Sequence, residues 1–269
     1  MSFPSIKEVV ERYSLTANKD FGQNFLYDLD LTAKIVQAAG NISDKIILEI
    51  GPGVGSLSRP ILSQNIKTLT SLEIDQRCIK ALSYLTKFYA AKFNLINTDA
   101  LKFRIKDHFN EKIIIIANLP YNISTQLFFN WVDEVESIEK MVLMFQKEVA
   151  LRLLAKPSTN NYGKLSIIAD LFFDRSHYMD LNPEFFFPSP KVVSSVLVFT
   201  PNRDKHKFDY KKIKHLLTIS FGQKRKMLKN NLIKLIPDIE QIMREHGINQ
   251  NARPEELSTS DYINLSHHI

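Results

Sequence analysis

Residues 113–125, with the sequence IIIIANLPYNIST, join a run of four isoleucines to an asparagine, a proline and a tyrosine. A continuous apolar run predicts a strand that is covered on both faces, and in open α/β sheets ligands bind beyond the carboxyl ends of such strands. We therefore expect Asn118, Leu119, Pro120 and Tyr121 to lie at the edge of an active site.

These four residues suit chemistry on an aromatic exocyclic amine. The lone pair of an adenine amine is delocalised into the ring, so methylation requires the nitrogen to become pyramidal. The Asn118 side-chain oxygen and the Leu119 carbonyl would favour that geometry by accepting the amine hydrogens where charge develops. Pro120 would hold the turn, and Tyr121 would stack on a base rotated out of its helix. The alternative is a proline turn that merely ends a strand, with Tyr121 in the core.

A glycine-rich turn follows the apolar run at residues 45–50, and acids end the next two strand-like runs. Gly51 and Gly53 would let the backbone turn sharply beside a helix that offers unpaired N–H groups. Glu73 is placed to accept from both hydroxyls of a ribose, and Asp99 to accept from an adenine amine. Together these residues predict a nucleoside-containing cofactor. The alternative for the glycines alone is a tight strand-to-helix turn without a ligand.

The turn has the form G-P-G-V-G, which differs from both common phosphate-binding patterns. It is not the dinucleotide form G-x-G-x-x-G, and no Lys-Ser or Lys-Thr follows it as in the phosphate loop. Glu49, two residues before the turn, favours a cofactor with a cationic group over one with phosphates. The alternative is that Glu49 pairs locally with the backbone.

Strand-like and helix-like segments alternate over residues 45–199, which predicts βαβ units and a parallel sheet. The strand-like runs cover residues 45–50, 68–74, 93–99, 112–118, 140–145, 175–181 and 192–200. The loop NPEFFFPSPK between the last two runs has three prolines and is expected to be irregular. After residue 200 the pattern is helical without strands, so we place a domain boundary there.

The basic charge of the chain is concentrated in one segment. Residues 201–230 carry 10 Lys and Arg against 2 Asp and Glu, whereas residues 1–200 carry 22 against 21 and residues 231–269 carry 3 against 6. Such clustering is typical of a protein with a polyanionic partner. The alternative is a solvated helix face.

A single cysteine, Cys78, excludes an internal disulfide framework. The N-terminal segment is too charged for a signal peptide and no apolar run approaches membrane-spanning length, so we expect a cytoplasmic protein. Cys78 is expected to be a small buried thiol rather than a nucleophile. The seven histidines form no metal-spaced cluster, and no metal is expected.

Nine motifs occur in the order and spacing of the ribosomal RNA adenine dimethyltransferases, and the chain resembles the type that acts on the bacterial small subunit. The motifs are KDFGQNFLYD, LEIGPGVGSLS, LEID, NTDAL, ANLPYNIST, FQKEVALRLLA, YGKLSI, FFPSPKVVSSV and FGQKRKMLKNNL. The match covers residues 19–232, with weaker similarity in RPEELSTSDYINL.

The resemblance implies a Rossmann-like, S-adenosylmethionine-dependent methyltransferase domain with a seven-stranded mixed sheet in residues 1–200. A small all-helical RNA-binding domain would follow in residues 201–269. The implied activity is dimethylation of two adjacent adenosines in the 3′-terminal hairpin of 16S rRNA, within an assembling small subunit. The family further implies a monomer with no membrane or DNA partner.

The resemblance, joined to the residues singled out above, assigns three sets of site residues. The cofactor-binding set is Gln23, Asn24, Leu26, Glu49, Gly51, Gly53, Glu73, Ile74, Asp99, Ala100 and Asn118. The catalytic set is Asn118, Leu119, Pro120, Tyr121 and Phe187. The RNA-binding set is Lys191, Lys224, Arg225 and Lys226. Phe187 would sandwich the target base against Tyr121, while Phe185 and Phe186 pack beneath the proline-rich loop.

Three positions depart from the usual family pattern, namely Asp20, Val193 and Lys224, and none touches the proposed chemistry. Lys224 stands where arginine is commoner, which keeps the charge but loses bidentate phosphate binding. Three rivals remain: a methyltransferase of the same fold acting on large-subunit RNA, an assembly or transcription factor that uses the fold only to bind RNA, and a DNA adenine methyltransferase.

Overall fold

The computed structural model describes residues 3–15, 23–202 and 208–269. Asp20 and residues 203–207 of the predicted basic segment lie outside these ranges. The strands in the described ranges are β1 (Phe25–Leu26), β2 (Ile46–Ile50), β3 (Thr68–Glu73), β4 (Phe93–Asn97), β5 (Ile113–Asn118), β6 (Ile138–Gln146), β7 (Phe173–Leu181), β8 (Phe186–Phe187) and β9 (Ser194–Pro201).

The helices follow the strands in the alternation that the sequence predicts. They are α1 (Ile6–Arg12), α2 (Leu29–Gln37), α3 (Ser58–Leu62), α4 (Gln76–Ala81), α5 (Ser83–Phe88), α6 (Ser124–Val132), α7 (Lys147–Leu154), α8 (Lys164–Phe172), α9 (Tyr210–Ser220), α10 (Leu228–Leu232), α11 (Ile239–Glu245) and α12 (Thr259–Ser266). Within the described ranges, none of these helices combines the length and apolarity needed to cross a membrane.

Seven strands form one sheet in the order β4-β3-β2-β5-β6-β9-β7. The pairs from β4 to β6 are parallel, and β9 runs antiparallel to β6. The seven-stranded mixed sheet expected for a Rossmann-like methyltransferase is thus confirmed. Each of the seven predicted strand-like runs corresponds to one strand of the sheet, with ends that differ by a few residues.

The isoleucine run forms β5, which lies between β2 and β6. Its four isoleucines, at positions 113 to 116, are at most 1% exposed. Apolar β-branched side chains suit a strand that is covered on both faces, because burial of each side chain contributes roughly 1.5–3 kcal/mol. The strand therefore ends at Asn118 with a rigid, buried backbone behind it.

The proline-rich loop is more regular than predicted. Its residues Phe186 and Phe187 form β8, which pairs antiparallel with β1 in a separate two-stranded sheet. Phe186 is buried and Phe185 is half-buried against the main core, as expected, whereas Phe187 is 50% exposed. The prolines flank the short strand, so its two residues remain free to pair.

The chain divides into two compact units, and the division corrects the predicted boundary. The first unit comprises residues 1–150 and 176–201, and the second comprises residues 151–175 and 202–269. A domain boundary near residue 200 was predicted, but the assignment of residues 151–175 to the first domain was wrong. Helical periodicity does not distinguish a helix that covers a sheet from one that packs among other helices. Residues 151–175 were therefore assigned to the same domain as the strands that flank them in sequence.

Buried aromatic residues hold the second unit together. Phe172, at the end of α8, makes edge-to-face contacts with Phe208 and Tyr210, at ring-centroid distances of 5.5 and 4.9 Å. The Tyr162 hydroxyl donates to the Leu257 carbonyl at 2.9 Å. Residues 151–175 are therefore bonded directly to the C-terminal helical segment, which explains their place in this unit.

Tyr262, on α12, provides a test of this core. The side chain is fully buried, and its hydroxyl donates to the Pro254 carbonyl at 2.7 Å. We expect Tyr262→Phe to lower the free energy of unfolding by about 1–3 kcal/mol, because it leaves a buried carbonyl without a donor. Urea denaturation followed by circular dichroism measures the change. The control is Tyr178→Phe, at a 43% exposed ring; equal stabilities of the two variants would contradict the prediction.

Candidate active site

The carboxyl ends of β2, β3, β4 and β5 meet at one edge of the sheet, and a cavity of about 340 Å³ lies there. Residues after each of these strands line the cavity, together with residues 23–26 from the N-terminal part of the chain. The lining includes fourteen of the predicted site residues: Gln23, Asn24, Leu26, Glu49, Gly51, Gly53, Glu73, Ile74, Asp99, Ala100, Asn118, Leu119, Pro120 and Tyr121. The structure therefore brings together residues that are almost one hundred positions apart in sequence.

Residues 23–26 form one wall of the cavity and are fixed by hydrogen bonds. Gln23 Nε2 donates to Asp75 Oδ2 at 3.0 Å. Ser56 Oγ donates to the Leu26 carbonyl at 2.5 Å. Asp75 also caps α4 and pairs with Arg77 at 2.7 Å. Burial alone would raise the pKa of Asp75, but the hydrogen bonds from Arg77 and Gln23 outweigh it and lower that pKa to about 2.

Gly53, in the glycine-rich turn, packs against Phe25 of this wall. Its φ of +55° favours glycine, and a Cβ atom there would approach Phe25 Cε1 to 2.9 Å. Its N–H donates to Glu73 Oε2 at 3.1 Å. The glycine is therefore required both for the turn and for the close packing of the wall.

Glu73 ends β3 and is 5% exposed. Besides the bond from Gly53, its Oε1 accepts from the backbone N–H groups of Ile74 at 2.9 Å and Asp75 at 2.8 Å. Burial raises the pKa of Glu73, while these N–H bonds act in the opposite direction. The carboxylate thus orders the turn as well as facing the cavity.

Glu49 is buried inside β2, at 1% exposure, and also lines the cavity. Its Oε2 accepts from Ser58 Oγ at 2.7 Å and from Ser71 Oγ at 2.6 Å. Burial raises its pKa to about 7, with the negative charge of Glu73 acting in the same direction. These partners are serine hydroxyls rather than the local backbone groups of the alternative, and both bind the same oxygen, so the carboxylate still lines the cavity.

Asp99 follows β4 at the cavity edge, where its Oδ1 accepts from the Leu101 N–H at 2.9 Å. Beside it, Ile74 is 49% exposed and offers an apolar surface. Among the described lining residues there are three carboxylates, from Glu49, Glu73 and Asp99, and no lysine, arginine or histidine. The cavity therefore favours a ligand that carries positive charge and hydroxyl or amine donors.

Asn118 is oriented by a single side-chain bond, in which its Nδ2 donates to the Asn24 carbonyl at 3.1 Å. A carbonyl can only accept, so the amide nitrogen must face it and the Oδ1 atom must face away. No donor from the described part of the chain bonds Oδ1. Asn118 Oδ1, which was assigned from the sequence to an amine of the substrate, is therefore available to accept a hydrogen bond at the cavity that Asn118 lines.

Leu119, Pro120 and Tyr121 complete the edge of the cavity. Leu119 is buried, and Pro120 lies beside Gly51, whose added Cβ atom would be 3.9 Å from Pro120 Cγ. The Tyr121 hydroxyl is 2.6 Å from Ser194 Oγ on β9, and burial raises the pKa of this phenol. The ring is thus fixed in position, neutral and partly exposed.

Five other predicted site residues do not line the cavity as the structure describes it: Phe187, Lys191, Lys224, Arg225 and Lys226. Phe187 instead stacks on Tyr27, with ring centroids 5.6 Å apart and ring planes 21° apart. The four cationic side chains are exposed. Lys224 and its two neighbours belong to the second unit, and Lys191 belongs to the first.

Several residues that shape the site were missed by sequence reasoning. Ser58 and Ser71 hold Glu49, and Ser194 holds Tyr121. Thr98, Asn122 and Ile123 line the cavity. The last three lie within two residues of a predicted residue and could have been found by extending each motif. The serines belong to strands and a helix, and their side-chain contacts cannot be recognised from the local sequence. Cys78 is fully buried on α4, as expected.

A sequence model of the family described as ribosomal RNA adenine dimethylase matches residues 14–269. The chain belongs to this family. It is therefore an adenine dimethyltransferase of ribosomal RNA that uses S-adenosylmethionine.

Members of the family with similar sequences match the chain from end to end. A protein from Bartonella tribocorum is 42% identical, over 100% of this chain and 98% of its own length. One from Cereibacter sphaeroides is 37% identical, over 99% of this chain and 97% of its own length. Both are named ribosomal RNA small subunit methyltransferase A.

Solved structures support the same fold. A dimethyladenosine transferase from Plasmodium falciparum has a TM-score of 0.77 at 26% identity, with 90% of this chain and 95% of that chain covered. The 23S rRNA methyltransferase ErmE has a TM-score of 0.70 at 22% identity, with 91% and 99% covered. The second likeness concerns the fold alone.

The cavity of this rRNA adenine dimethyltransferase suits S-adenosylmethionine. The cofactor has a sulfonium and an ammonium group, ribose hydroxyls and an adenine amine, and it has no phosphate. Three carboxylates without a cationic side chain among the described lining residues match those groups. Glu73 would hold the ribose, Asp99 the adenine amine, and Glu49 the cationic end.

Glu73→Ala tests the ribose assignment. Loss of the paired acceptor should weaken S-adenosylmethionine binding about ten- to hundredfold, or roughly 1.5–3 kcal/mol. Isothermal titration calorimetry measures the affinity, and circular dichroism checks the turn, because the change also removes the acceptor of three backbone N–H groups. Glu111→Ala is the control, since that acid is 61% exposed and paired with Lys67. A folded Glu73→Ala protein with wild-type affinity would remove Glu73 from the cofactor site.

Glu49 gives a prediction for the pH dependence of stability. Its folded-state pKa of about 7 lies above its usual value of 4.5, so the folded protein holds this proton more tightly than the unfolded chain does. The free energy of unfolding should therefore fall as pH rises from about 4.5 to about 7, by up to about 3 kcal/mol. Glu49→Gln should abolish that fall. Urea denaturation at pH 5 and pH 7.5 makes the comparison, and parallel pH profiles of the two proteins would show the prediction to be wrong.

Proposed function

We propose that this chain dimethylates the exocyclic amines of two adjacent adenosines in the 3′-terminal hairpin loop of 16S rRNA. The substrate is the small ribosomal subunit during its assembly in the cytoplasm, and the enzyme takes part in the biogenesis of that subunit. The nine ordered motifs and the two small-subunit methyltransferases that match along their full length support this choice.

The orientation of Asn118 is the observation that carries the catalytic part of the proposal. Its Nδ2 donates to the Asn24 carbonyl, which leaves Oδ1 to accept a hydrogen bond from a ligand in the cavity that Asn118 lines. An amine hydrogen held by Oδ1, and a second held by the Leu119 carbonyl, would direct the nitrogen lone pair away from the base plane. Such fixed acceptors stabilise the positive charge that develops on the nitrogen in the transition state.

The neighbouring residues keep this arrangement rigid. Pro120 restricts the backbone that carries the Leu119 carbonyl. Tyr121, fixed by Ser194 at 2.6 Å, offers a flat face to the base. When bound, S-adenosylmethionine supplies an electrophilic methyl group. No ionised general base is required, because the alkylated amine loses its proton readily to water.

RNA binding is assigned to exposed cations outside the cavity. Lys224, Arg225 and Lys226 lie between a 3₁₀ turn and α10 in the helical unit, and all three are exposed. Lys191 is exposed in the methyltransferase unit. These side chains would contact phosphates, which positions the RNA without reading its sequence. We propose that the enzyme acts as a monomer and uses neither DNA nor a membrane as a partner.

Transfer of a labelled methyl group from S-adenosylmethionine tests the proposed substrate. Undermethylated small subunits, large subunits, free 16S rRNA and duplex DNA are compared side by side, and the products are analysed as modified nucleosides. The expected result is N6,N6-dimethyladenosine at two adjacent positions of the small subunit, with little label elsewhere. Preferred labelling of large subunits or of DNA would support the corresponding rival, and no transfer to any of the four would support a role in RNA binding alone.

Asn118→Ala tests the catalytic assignment. It should lower the methylation rate about 10²–10³-fold, equivalent to roughly 2.7–4 kcal/mol, while S-adenosylmethionine affinity stays almost unchanged. Single-turnover assays on saturated complexes measure the rate, and calorimetry measures the affinity. Dimethylation at the wild-type rate would show that the Asn-Leu-Pro-Tyr segment is only a structural turn.

Tyr121 is tested by a pair of variants. Tyr121→Ala should weaken substrate binding, by about 1–3 kcal/mol for one stacked base, without changing cofactor affinity. Tyr121→Phe keeps the ring but loses the contact with Ser194, so it should retain most of the binding. Equal losses in the two variants would assign the effect to the hydroxyl rather than to stacking.

Removal of three charges tests the RNA surface. Replacing Lys224, Arg225 and Lys226 by glutamine should weaken substrate binding and flatten its salt dependence, by up to about one unit of log–log slope for each lost phosphate contact. The control replaces Arg104, Lys106 and Lys112, which are also one arginine and two lysines, all exposed. If the two triple variants have the same slope, the segment is a solvated face and the RNA binds elsewhere.

A further inference from the structure

Tyr27 and Phe187 form an aromatic pair outside the cavity. The pairing of β1 with β8 aligns Phe25 with Phe187 and Leu26 with Phe186, and Tyr27 follows directly. Three of these strand residues are buried, but Phe187 is 50% exposed and stacks almost parallel on Tyr27 at 5.6 Å. One face of this ring is therefore supported and another part of its surface is open to solvent.

Tyr27 is itself anchored to the protein. It is half-buried and packs against a core cluster that includes Ile6, Val9 and Phe25. A ring held in this way loses little further conformational entropy when a ligand stacks on its partner. The pair thus has the form of a preformed stacking surface, although the described lining of the cavity does not include either ring.

We propose that Tyr27 and Phe187 form a nucleobase-stacking subsite that takes the nucleotide next to the target adenosine. The proposal rests on the proposed function, because two adjacent adenosines are modified and one must lie outside the cavity while the other is inside. Phe187 contacts this neighbouring base, in place of the target base that the resemblance assigned to it, because it stacks on Tyr27 and does not line the described cavity with Tyr121. Tyr27 is a positioning residue that fixes the Phe187 ring.

The position of the pair suits a neighbouring nucleotide. Phe25 lines the cavity, and its Cα atom faces that of Phe187 across a single strand pair, a separation of roughly 4.5–5.5 Å. The subsite is therefore one strand away from the cavity wall. Lys191 is exposed four residues after Phe187, where a cation could meet the RNA backbone. An aromatic face binds a base without reading its identity, but purines stack better than pyrimidines because their surface is larger.

The first test measures kcat and KM on undermethylated small subunits for Phe187→Ala, Tyr27→Ala and Tyr27→Phe. The two alanine variants should raise KM about five- to hundredfold, and Tyr27→Phe should behave like the wild type, because stacking requires the ring and not the hydroxyl. Affinity for S-adenosylmethionine, measured by calorimetry, should be unchanged in all three. A wild-type KM for Tyr27→Ala, or a lowered kcat with unchanged KM for Phe187→Ala, would overturn the proposal.

The second test separates the neighbouring base from the target. Small subunits are prepared with guanosine or uridine in place of one of the two adenosines. The wild type should show a higher KM for the uridine form than for the guanosine form, and Phe187→Ala should lose this difference. If the difference persists in Phe187→Ala, the ring does not contact the neighbouring base. Failure of the wild type to methylate any small subunit would instead refute the proposed function.

Discussion

The hydrogen bond from Asn118 Nδ2 to the Asn24 carbonyl joins the two parts of the chain on which the site depends. On one side, the donor Asn118 is the last residue of β5, a buried strand whose position is set by the whole sheet. On the other side, it holds residues 23–26, which wall the cavity and include β1, the partner of β8. Because the bond selects the amide orientation, it leaves the Asn118 oxygen as the atom that can accept a hydrogen bond from a ligand. A loosened wall would therefore change the chemistry at Asn118 without altering any atom of that side chain.

Acidic and basic side chains occupy different parts of the molecule, and each group suits one of its two ligands. Burial of the cavity carboxylates is unfavourable, and hydrogen bonds from N–H and hydroxyl donors to Glu73 and Glu49 offset part of that desolvation penalty. These bonds leave the negative potential of the cavity uncompensated by any cation among its described lining residues. Basic residues stand on exposed surfaces instead. A cationic cofactor and a polyanionic substrate are thus favoured at different places on the same protein.

Strands and helices with a clear pattern of apolar residues could be predicted from the sequence. Contacts between side chains distant in sequence could not. The isoleucine run and the other strand-like runs specify the sheet, and the parallel order then brings Glu49, Glu73, Asp99 and Asn118 to one edge. The pairing of β1 with β8 left no periodic signal, because each strand has only two residues. The stacking of Phe187 on Tyr27 and the serine contacts of Glu49 depend on the same kind of non-local packing. Residues 151–175 were misassigned for a related reason, since helical periodicity shows that a face is buried but not what buries it.

Two successive transfers to one nitrogen place different demands on the same residues. In the first transfer the amine has two hydrogens, and in the proposed mechanism the Asn118 oxygen and the Leu119 carbonyl hold both. In the second it has one hydrogen and a methyl group, so one acceptor loses its partner and the direction of the lone pair is less well fixed. The base plane must then be held by other contacts. Tyr121 suits this task because Ser194 and partial burial fix its ring independently of the amine. In the proposed mechanism, stacking on Tyr121 therefore becomes relatively more important as hydrogen bonding to the amine declines. A rigid aromatic face would allow one set of acceptors to serve both transfers.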